Sequence, residues 1–547
     1  MAILDQIDTI VVVLMENRTF DHMLGYLSHP SYGNRTNVEG QCADSVWLEG
    51  FTNECNGVRR APARTQRLDM SDDPGHERAN FEIQLGARLP SGAYPMTGFM
   101  QNYADAGVPA TSYGEVMGFL TPNGIPITAF LADHYAICDH WFAPIPTSTQ
   151  PNRLMAMGGY TKTDNTFTDT VPDQDLIYDW CEIQKQRSVQ WRVYHEGWPF
   201  FMVMNKWRGA ILADWTPLGN GRFRDLDRLE HDFQDSTFPQ IVFVEPKYTS
   251  DHFSSAIPSD DHAPSSVSGG QDFLRRVYGA LTANRDRWQR TVMIVTYDEG
   301  GGLFDHVSPP ELTTTVVNAK PFTTLGLRVP ALIVSPLVKP GSLFKGILDH
   351  TSILKFIGQK FGDNGLYSPQ VNGRPLVGSV LDVLNDQFCC VETVRTDAPQ
   401  PPPFTPTDGF VRGRSYHPVT PSAEAFAYAL NRMRLDDGER RLAARKFPEL
   451  AGFLAAQDNL LWELAQTSVR AQRNLRLSAD AGRNLEIFLE DPEQQLKQDP
   501  TKAPVAYANV TAMVNKMIAE AQAAKSNEIS DANFLNSRPT TSLFAKS

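Results

Sequence analysis

Thr9-Ile10-Val11-Val12-Val13-Leu14-Met15-Glu16-Asn17-Arg18-Thr19-Phe20-Asp21-His22 is the stretch that decides how the chain is read. An unbroken apolar run rich in Val and Ile reads as a strand buried on both faces, the habit of strands in parallel sheets. The run ends abruptly in a carboxylate and an amide. In open α/β sheets, ligands sit beyond the carboxyl ends of the strands. Glu16 and Asn17 therefore stand where a site would be. The alternative is a loop with ordinary polar residues. A second segment argues against it: Thr291-Val292-Met293-Ile294-Val295-Thr296-Tyr297 runs into Asp298-Glu299 and then Gly300-Gly301-Gly302. Two buried strands that both end in acidic residues point to one shared cation.

The order of the other elements sets the fold class. Gln240 to Pro246 reads as a third buried strand, followed by a Ser- and Asp-rich loop carrying His252 and His262. Gln271 to Leu281 is an amphipathic helix with Phe273, Leu274, Val277, Tyr278 and Leu281 as its apolar stripe. Strand, loop, helix and then the strand at 291–297 make a crossover unit. Val329 to Ser335 is a further strand bounded by prolines, and His350-Thr351-Ser352 caps a helix from Ile353 to Gly358. The expected fold is α/β, with a mostly parallel central sheet flanked by helices. Asp397 to Pro406 is proline-rich, so the chain divides into a large domain over 1–396, a linker over 397–420 and a helical C-terminal region over 421–547.

The 547 residues are 41% hydrophobic and suffice for a large core plus an appendage. A net charge of −13 excludes a general nucleic-acid binder, whose footprint is basic. It does not exclude phosphorylated substrates, because a bound metal with local His or Arg inverts the field of a cleft. The six cysteines form no CxxC pair, so a zinc cage is not expected. Cys42 and Cys55 are near enough in sequence for a loop disulfide, and reduced thiols fit equally well. No run of apolar residues is long enough to span a membrane. The start lacks the pattern of a secretory leader. The expected location is cytoplasmic or exported by a non-Sec route, or secreted or periplasmic if a leader has been removed.

Between these elements lie further candidates. Thr19 to Leu27 reads as a short helix, and residues 28 to 75 as a long excursion over the mouth of the sheet. His76 opens a helix through Leu85. Ile125 to Phe142 carries a helical pattern in Ile127, Phe130, Leu131, His134 and Tyr135. In Thr147-Ser148-Thr149-Gln150-Pro151-Asn152-Arg153, Pro151 suits a first helical turn, with Thr149 just outside the N-terminus. A hydroxyl there is an N-cap or a nucleophile facing an anion, and Thr147 and Ser148 are alternatives. Trp191 to Trp215 is dense in aromatics around His195. It is either core or the wall of a cleft, where Trp191 and Trp198 could hold a quaternary ammonium.

Met15-Glu16-Asn17-Arg18-Thr19-Phe20-Asp21-His22 resembles the first motif of the bacterial phosphoesterase family of phosphatidylcholine-type phospholipases C and related acid phosphatases. Four later blocks look like the same family: Thr149 to Arg153, Asp261 to Pro264, Tyr297 to Val307, and Gly326 to Pro330 with Asp349 to Ser352. All five come in the family order. The resemblance implies an alkaline-phosphatase-like core with one divalent metal ion, calcium, magnesium, manganese or zinc. Glu16, Asn17, Asp298 and Glu299 would hold it, together with the hydroxyl of Thr149. Thr149 would be the nucleophile, and His76, His195 and His262 would face the phosphoryl group. His22, His306 and His350 lie in family blocks as expected orienters of carboxylates. The implied substrate is a phospholipid or a small phosphate ester, with peripheral membrane contact in the first case. A C-terminal region unlike the β-rich modules of many phospholipases C keeps the acid phosphatase reading open, and a non-catalytic effector docking through its helical tail is the alternative from another class.

Overall fold

Thr9–Met15 forms strand β1, and every residue of it is buried. Each Val or Ile so buried contributes about 1.5–3 kcal/mol relative to exposure. The computed structural model describes residues 3–166, 171–183, 189–214, 220–248, 257–317, 319–388 and 398–406. The expected helices of 421–547, most of the linker, Trp215, His252, Cys389 and Cys390 lie outside the described residues.

Seven strands join β1: β2 (Ala136–Cys138), β3 (Trp191–His195), β4 (Phe223–Asp225), β5 (Ile241–Glu245), β6 (Thr291–Tyr297), β7 (Ala331–Val334) and β8 (Leu343–Phe344). Their spatial order is β8-β2-β7-β6-β1-β5-β3-β4. β1 pairs in parallel with β5 on one side and β6 on the other. Only β7 runs against its neighbours, so the sheet is mixed but mostly parallel. The main helices are α1 (Arg78–Leu85), α2 (Pro126–His134), α3 (Thr149–Gly158), α4 (Ser268–Thr282) and α5 (Thr351–Phe361). The apolar stripe expected on α4 is buried in full. Gln271 of α4 accepts at its Oε1 from the N–H groups of Ile127 and Thr128, both at 3.0 Å. That satisfies the start of α2, whose own cap residue Ile125 offers no side-chain bond.

Three expectations shift. The helical pattern from Ile125 to Phe142 splits: α2 stops at His134, Tyr135 is extended, and the next three residues pair in the sheet as β2. A short apolar run has no period of its own to separate strand from helix, and sheet pairing decides it. The excursion after residue 28 contains a short helix at Ser45–Gly50 and a hairpin of Asn53–Cys55 with Val58–Arg60. It helps build a second core, in which Phe99 and Met100 pack with Leu303 and Phe304 from beyond β6. No disulfide joins Cys42 and Cys55; the Cys55 thiol donates to Gln101 Oε1 at 3.4 Å.

A buried charge cluster ties the loops at this end of the sheet. Arg328 is fully buried and donates to Asp305 Oδ1 at 2.9 Å, Asp21 Oδ1 at 3.0 Å and the backbone oxygens of Glu39 and Asp139 at 2.6 and 3.0 Å. Asp21 Oδ2 accepts from the backbone and ring N–H groups of His306 at 2.9 and 2.6 Å. His306 thus orients a carboxylate of this latch. At its edge, His140 meets Asp139 at 2.8 Å and Glu39 at 3.2 Å.

Two outcomes follow. Hydrogen bonds to Asp139 and Glu39 push His140 up from its ordinary 6.5 to about 9, against burial. The raised group stabilises the fold fully below pH 6.5 and loses that contribution as pH rises through 9. Denaturant titrations should show wild-type stability falling by about 2 kcal/mol more than that of His140→Gln across this window; parallel profiles would remove the linkage. In the turn after β6, Gly301 has φ +61, and a Cβ there would lie 2.4 Å from the backbone oxygen of Asn17. Gly301→Ala should cost about 2–4 kcal/mol. Gly50→Ala, which meets nothing within 4 Å, is the control, and equal denaturation midpoints would refute the crowding.

Candidate active site

The parallel register Leu14↔Thr296 and Met15↔Tyr297 brings Glu16 and Asn17 beside Asp298 and Glu299. Adjacent strands lie about 4.8 Å apart, so residues leaving in step remain neighbours. Asn17 has φ +59, a left-handed conformation that Asn tolerates better than most residues. Its N–H donates to Asp298 Oδ1 at 3.0 Å. The N–H of Glu16 donates to the backbone oxygen of Asp260 at 2.8 Å, which leads into Asp261-His262. Asp261, also left-handed at φ +74, accepts from the Tyr297 hydroxyl at 2.6 Å. The loop carrying His262 is thereby fastened to the ends of β1 and β6.

Thr149 is the first residue of α3, one position inside the expected boundary, because Ser148 takes the extended cap conformation. The Thr149 hydroxyl lies 3.0 Å from Glu16 Oε1 and 3.4 Å from Asn17 Oδ1. The neighbouring hydroxyls are turned elsewhere. Thr147 donates to the backbone oxygen of Asp164 at 2.6 Å and Ser148 to Glu77 Oε2 at 2.7 Å.

Glu16, Asp298 and Glu299 are all buried, and Glu16 Oε2, Asp298 Oδ2 and Glu299 Oε1 accept no hydrogen bond. Burial pushes Asp298 up to about 6 and Glu299 to about 8. Burial opposes ionisation of Glu16 too, but His262, Arg153 and Thr149 outweigh it and hold the carboxyl at about 2. Three buried carboxylates that each keep an unsatisfied oxygen, with an amide oxygen and a hydroxyl beside Glu16, have the donor chemistry of a hard divalent cation site, and Glu16 also groups with Asp260 and His262 at metal-ligand spacing. Such a cation would keep all three ionised.

Two histidines border this group. His262 Nδ1 lies 3.5 Å from Glu16 Oε1 and Nε2 lies 3.2 Å from Asp73 Oδ1. His76 donates from Nδ1 to the backbone oxygen of Pro74 at 2.7 Å, and its Nε2 faces Asn17 Nδ2 at 3.3 Å. Burial opposes charge on both rings, but Glu299 and Asp73 pull His76 up to about 9, and Asp73 and Glu16 raise His262 well above its ordinary value. Side-chain exposure rises to 10% at His76 and 17% at Asp73, so the opening lies on their side. Behind the carboxylates, His350 donates from Nε2 to the backbone oxygen of Asp298 at 2.7 Å while Nδ1 accepts from Trp141 at 3.1 Å. Burial lowers His350 to about 4, and it stays neutral.

The remaining candidates are placed differently. His195 is buried at the same end of the sheet, but two strands from β1, and donates from Nδ1 to the backbone oxygen of Gly197 at 2.8 Å. His22 is buried and lines a small cavity with Arg18, Arg67 and Leu68. Trp191 is level with Ile241 and so with Ile10, roughly 15–20 Å from Glu16 along the sheet. It packs with Tyr178, Trp207 and Phe223. Trp198 is buried to 1% exposure. Trp191 is core rather than cleft wall, because aromatic rings shed the most water when packed on one another.

Sequence reasoning missed three contributors. Arg153 lies 3.3 Å from Asp298 Oδ2 and 3.8 Å from Glu16 Oε2. Its spacing of four from Thr149 was the available signal, since positions i and i+4 share a helix face. Asp73, three residues before His76, holds His262. Glu77 binds Ser148 and so ties the start of α1 to the Thr149 turn.

Non-specific phospholipase C3 of Arabidopsis thaliana is 30% identical over 372 residues, 62% of this chain and 64% of that protein. Non-hemolytic phospholipase C of Burkholderia pseudomallei is 28% identical over 475 residues, 77% of this chain and 64% of that protein. The chain therefore spans 64% of the length of either relative. Among solved structures, one of a protein in the alkaline phosphatase superfamily from Vibrio parahaemolyticus overlaps 62% of this chain and 74% of its own at 11% identity and a TM-score of 0.25. The description of the Phosphoesterase family matches residues 7–363, from β1 to just beyond α5, and the chain belongs to that family.

Proposed function

We propose that this protein is a metal-dependent phosphoesterase acting through a phosphothreonyl intermediate, and that its substrates are phosphatidylcholine-like phospholipids. The observation that carries the reading is the Thr149 hydroxyl 3.0 Å from Glu16 Oε1, among three buried carboxylates with unsatisfied oxygens. Glu16, Asn17, Asp298 and Glu299 would hold one divalent ion with the Thr149 oxygen. The oxygen-rich set suits calcium, magnesium or manganese, and zinc also accepts such donors. When bound, the ion favours the alkoxide of the nucleophile and neutralises charge on the phosphoryl oxygens.

The chain's own groups supply the rest. Thr149, held against Glu16 Oε1, attacks phosphorus through its oxygen, and the hydroxyl proton is released to solvent on the open side of the site. A P–O bond to Thr149 forms and the bond to the departing alcohol breaks. His262 or His76, held by Asp73 and by Pro74, gives that alcohol its proton. Water then attacks the phosphothreonine, the same imidazole takes its proton, and the Thr149 oxygen regains one. The start of α3 turns the positive end of the helix dipole toward a phosphoryl anion beside Thr149.

The lipid substrate is supported by the phospholipase C names of the relatives. It calls for peripheral contact with a membrane; no helix among the described residues is long and apolar enough to cross one.

Hydrolysis of p-nitrophenylphosphorylcholine beside p-nitrophenyl phosphate, with and without EDTA, tests the reading. The choline diester should be preferred, and EDTA should abolish turnover until a divalent ion is restored. Preference for the monoester would support a broad acid phosphatase instead, and silence on both with every metal would favour a non-catalytic effector. Thr149→Ala should lower kcat by about 10³-fold or more at an unchanged denaturation midpoint. Phosphate trapped by acid quench should map to the Thr149 peptide; trapping elsewhere would overturn the nucleophile.

A further inference from the structure

We propose that Arg153 is a built-in cation of the centre, a positioning residue that acts through Glu16 and Asp298 and limits the site to one divalent ion. The inference rests on the metal-centre reading above and goes beyond it. Arg153 is 1% exposed and lies on α3 one turn beyond Thr149. Its Nε is 3.3 Å from Asp298 Oδ2 and its Nη2 is 3.8 Å from Glu16 Oε2. Neither oxygen accepts a hydrogen bond from it, and Nε itself has no hydrogen-bond partner.

The donors that bond are anchored elsewhere. Nη1 donates to the Tyr248 hydroxyl at 2.9 Å, and Nη2 to the backbone oxygens of Met15 at 3.2 Å and Leu14 at 3.4 Å. The guanidinium is thus pinned to the end of β1 and to Tyr248 and serves the carboxylates as a nearby charge. A guanidinium keeps its proton even in this buried place, and Glu16 and Asp298 beside it favour a cation there. The guanidinium offsets one of the three carboxylate charges from α3, while His262 and His76, paired with Asp73, face the same group from the loops. Without the guanidinium the group is one charge more negative, which repels an anionic substrate and attracts more cation. The helix that presents the Thr149 hydroxyl therefore also fills the far side of the Glu16–Asp298 pair.

The test is metal titration of the metal-free full chain with Mn²⁺, by calorimetry and by elemental analysis after desalting. Wild type should bind one ion per chain. Arg153→Met, neutral and of similar length, should bind Mn²⁺ about tenfold more tightly or take up a second ion. Arg153→Lys should keep one ion at an affinity within about threefold of wild type, since it keeps the charge. Two ions on wild type, or unchanged or weaker binding in Arg153→Met, would overturn the proposal. If Arg153→Met does not fold, the wild-type stoichiometry with Arg153→Lys decides: one ion in both at similar affinity supports it, and two ions or a large loss in the Lys variant overturns it. Failure of the metal-centre reading is distinguishable: wild type then binds no Mn²⁺, or Asp298→Asn binds it as well as wild type.

Discussion

Everything at the functional end of this protein depends on the parallel pairing of β1 with β6. Backbone hydrogen bonds hold Met15 level with Tyr297, so the residues that follow both strands leave the sheet side by side. A slip of one residue would turn the side chains of β6 to the opposite face and separate the carboxylates. Close packing on both faces resists that slip, because each buried side chain fills a space shaped by its own neighbours. The hydrophobic core thus sets the geometry of a polar centre that contributes nothing to the core itself.

The cost of that arrangement is three carboxylates held out of water. The protein offsets it with groups from separate parts of the chain: Arg153 from α3, His262 from the loop beyond β5, and the backbone N–H of Gly301, which donates to Glu299 Oε2 at 2.7 Å. Backbone strain is concentrated in the same place. Asn17 and Asp261 both hold left-handed conformations next to the residues they position. Strain of this kind persists only where surrounding bonds over-determine it, and the bonds from Asn17 to Asp298 and from Tyr297 to Asp261 do so.

A second set of charges secures the loops without joining the centre. Arg328 gathers Asp21 and Asp305, which follow β1 and β6, beneath the aromatic ring of Phe20 at 4.6 Å. Asp21, Asp305 and His306 have the donor types of a metal site, but a guanidinium already occupies the space between the carboxylates. The excursion between β1 and α1 packs on Leu303 and Phe304, and its last residues deliver Asp73 and His76 to the opening of the site. A long insertion is here the route by which two ionisable groups reach a centre built by the sheet.

The sequence alone determined the strands, since runs such as Ile10 to Leu14 have no stable place except inside a sheet. It determined the helix at 268–282 through its apolar stripe, and it marked Glu16, Asn17, Thr149, Asp298 and Glu299 through motif and position at element ends. It did not determine where the aromatic stretch belongs. Trp191 and His195 are four residues apart, and only the direction and register of β3 put the histidine at the functional end and the tryptophan at the other. It did not separate Thr147, Ser148 and Thr149, because which of three consecutive hydroxyls meets Glu16 depends on the rotation at which α3 starts. Nor did it assign Arg153, Asp73 or Arg328 a role. Local spacing governs which segments become strands and helices, whereas charge pairing across a hundred or more residues depends on distances that only the packed sheet and its loops create.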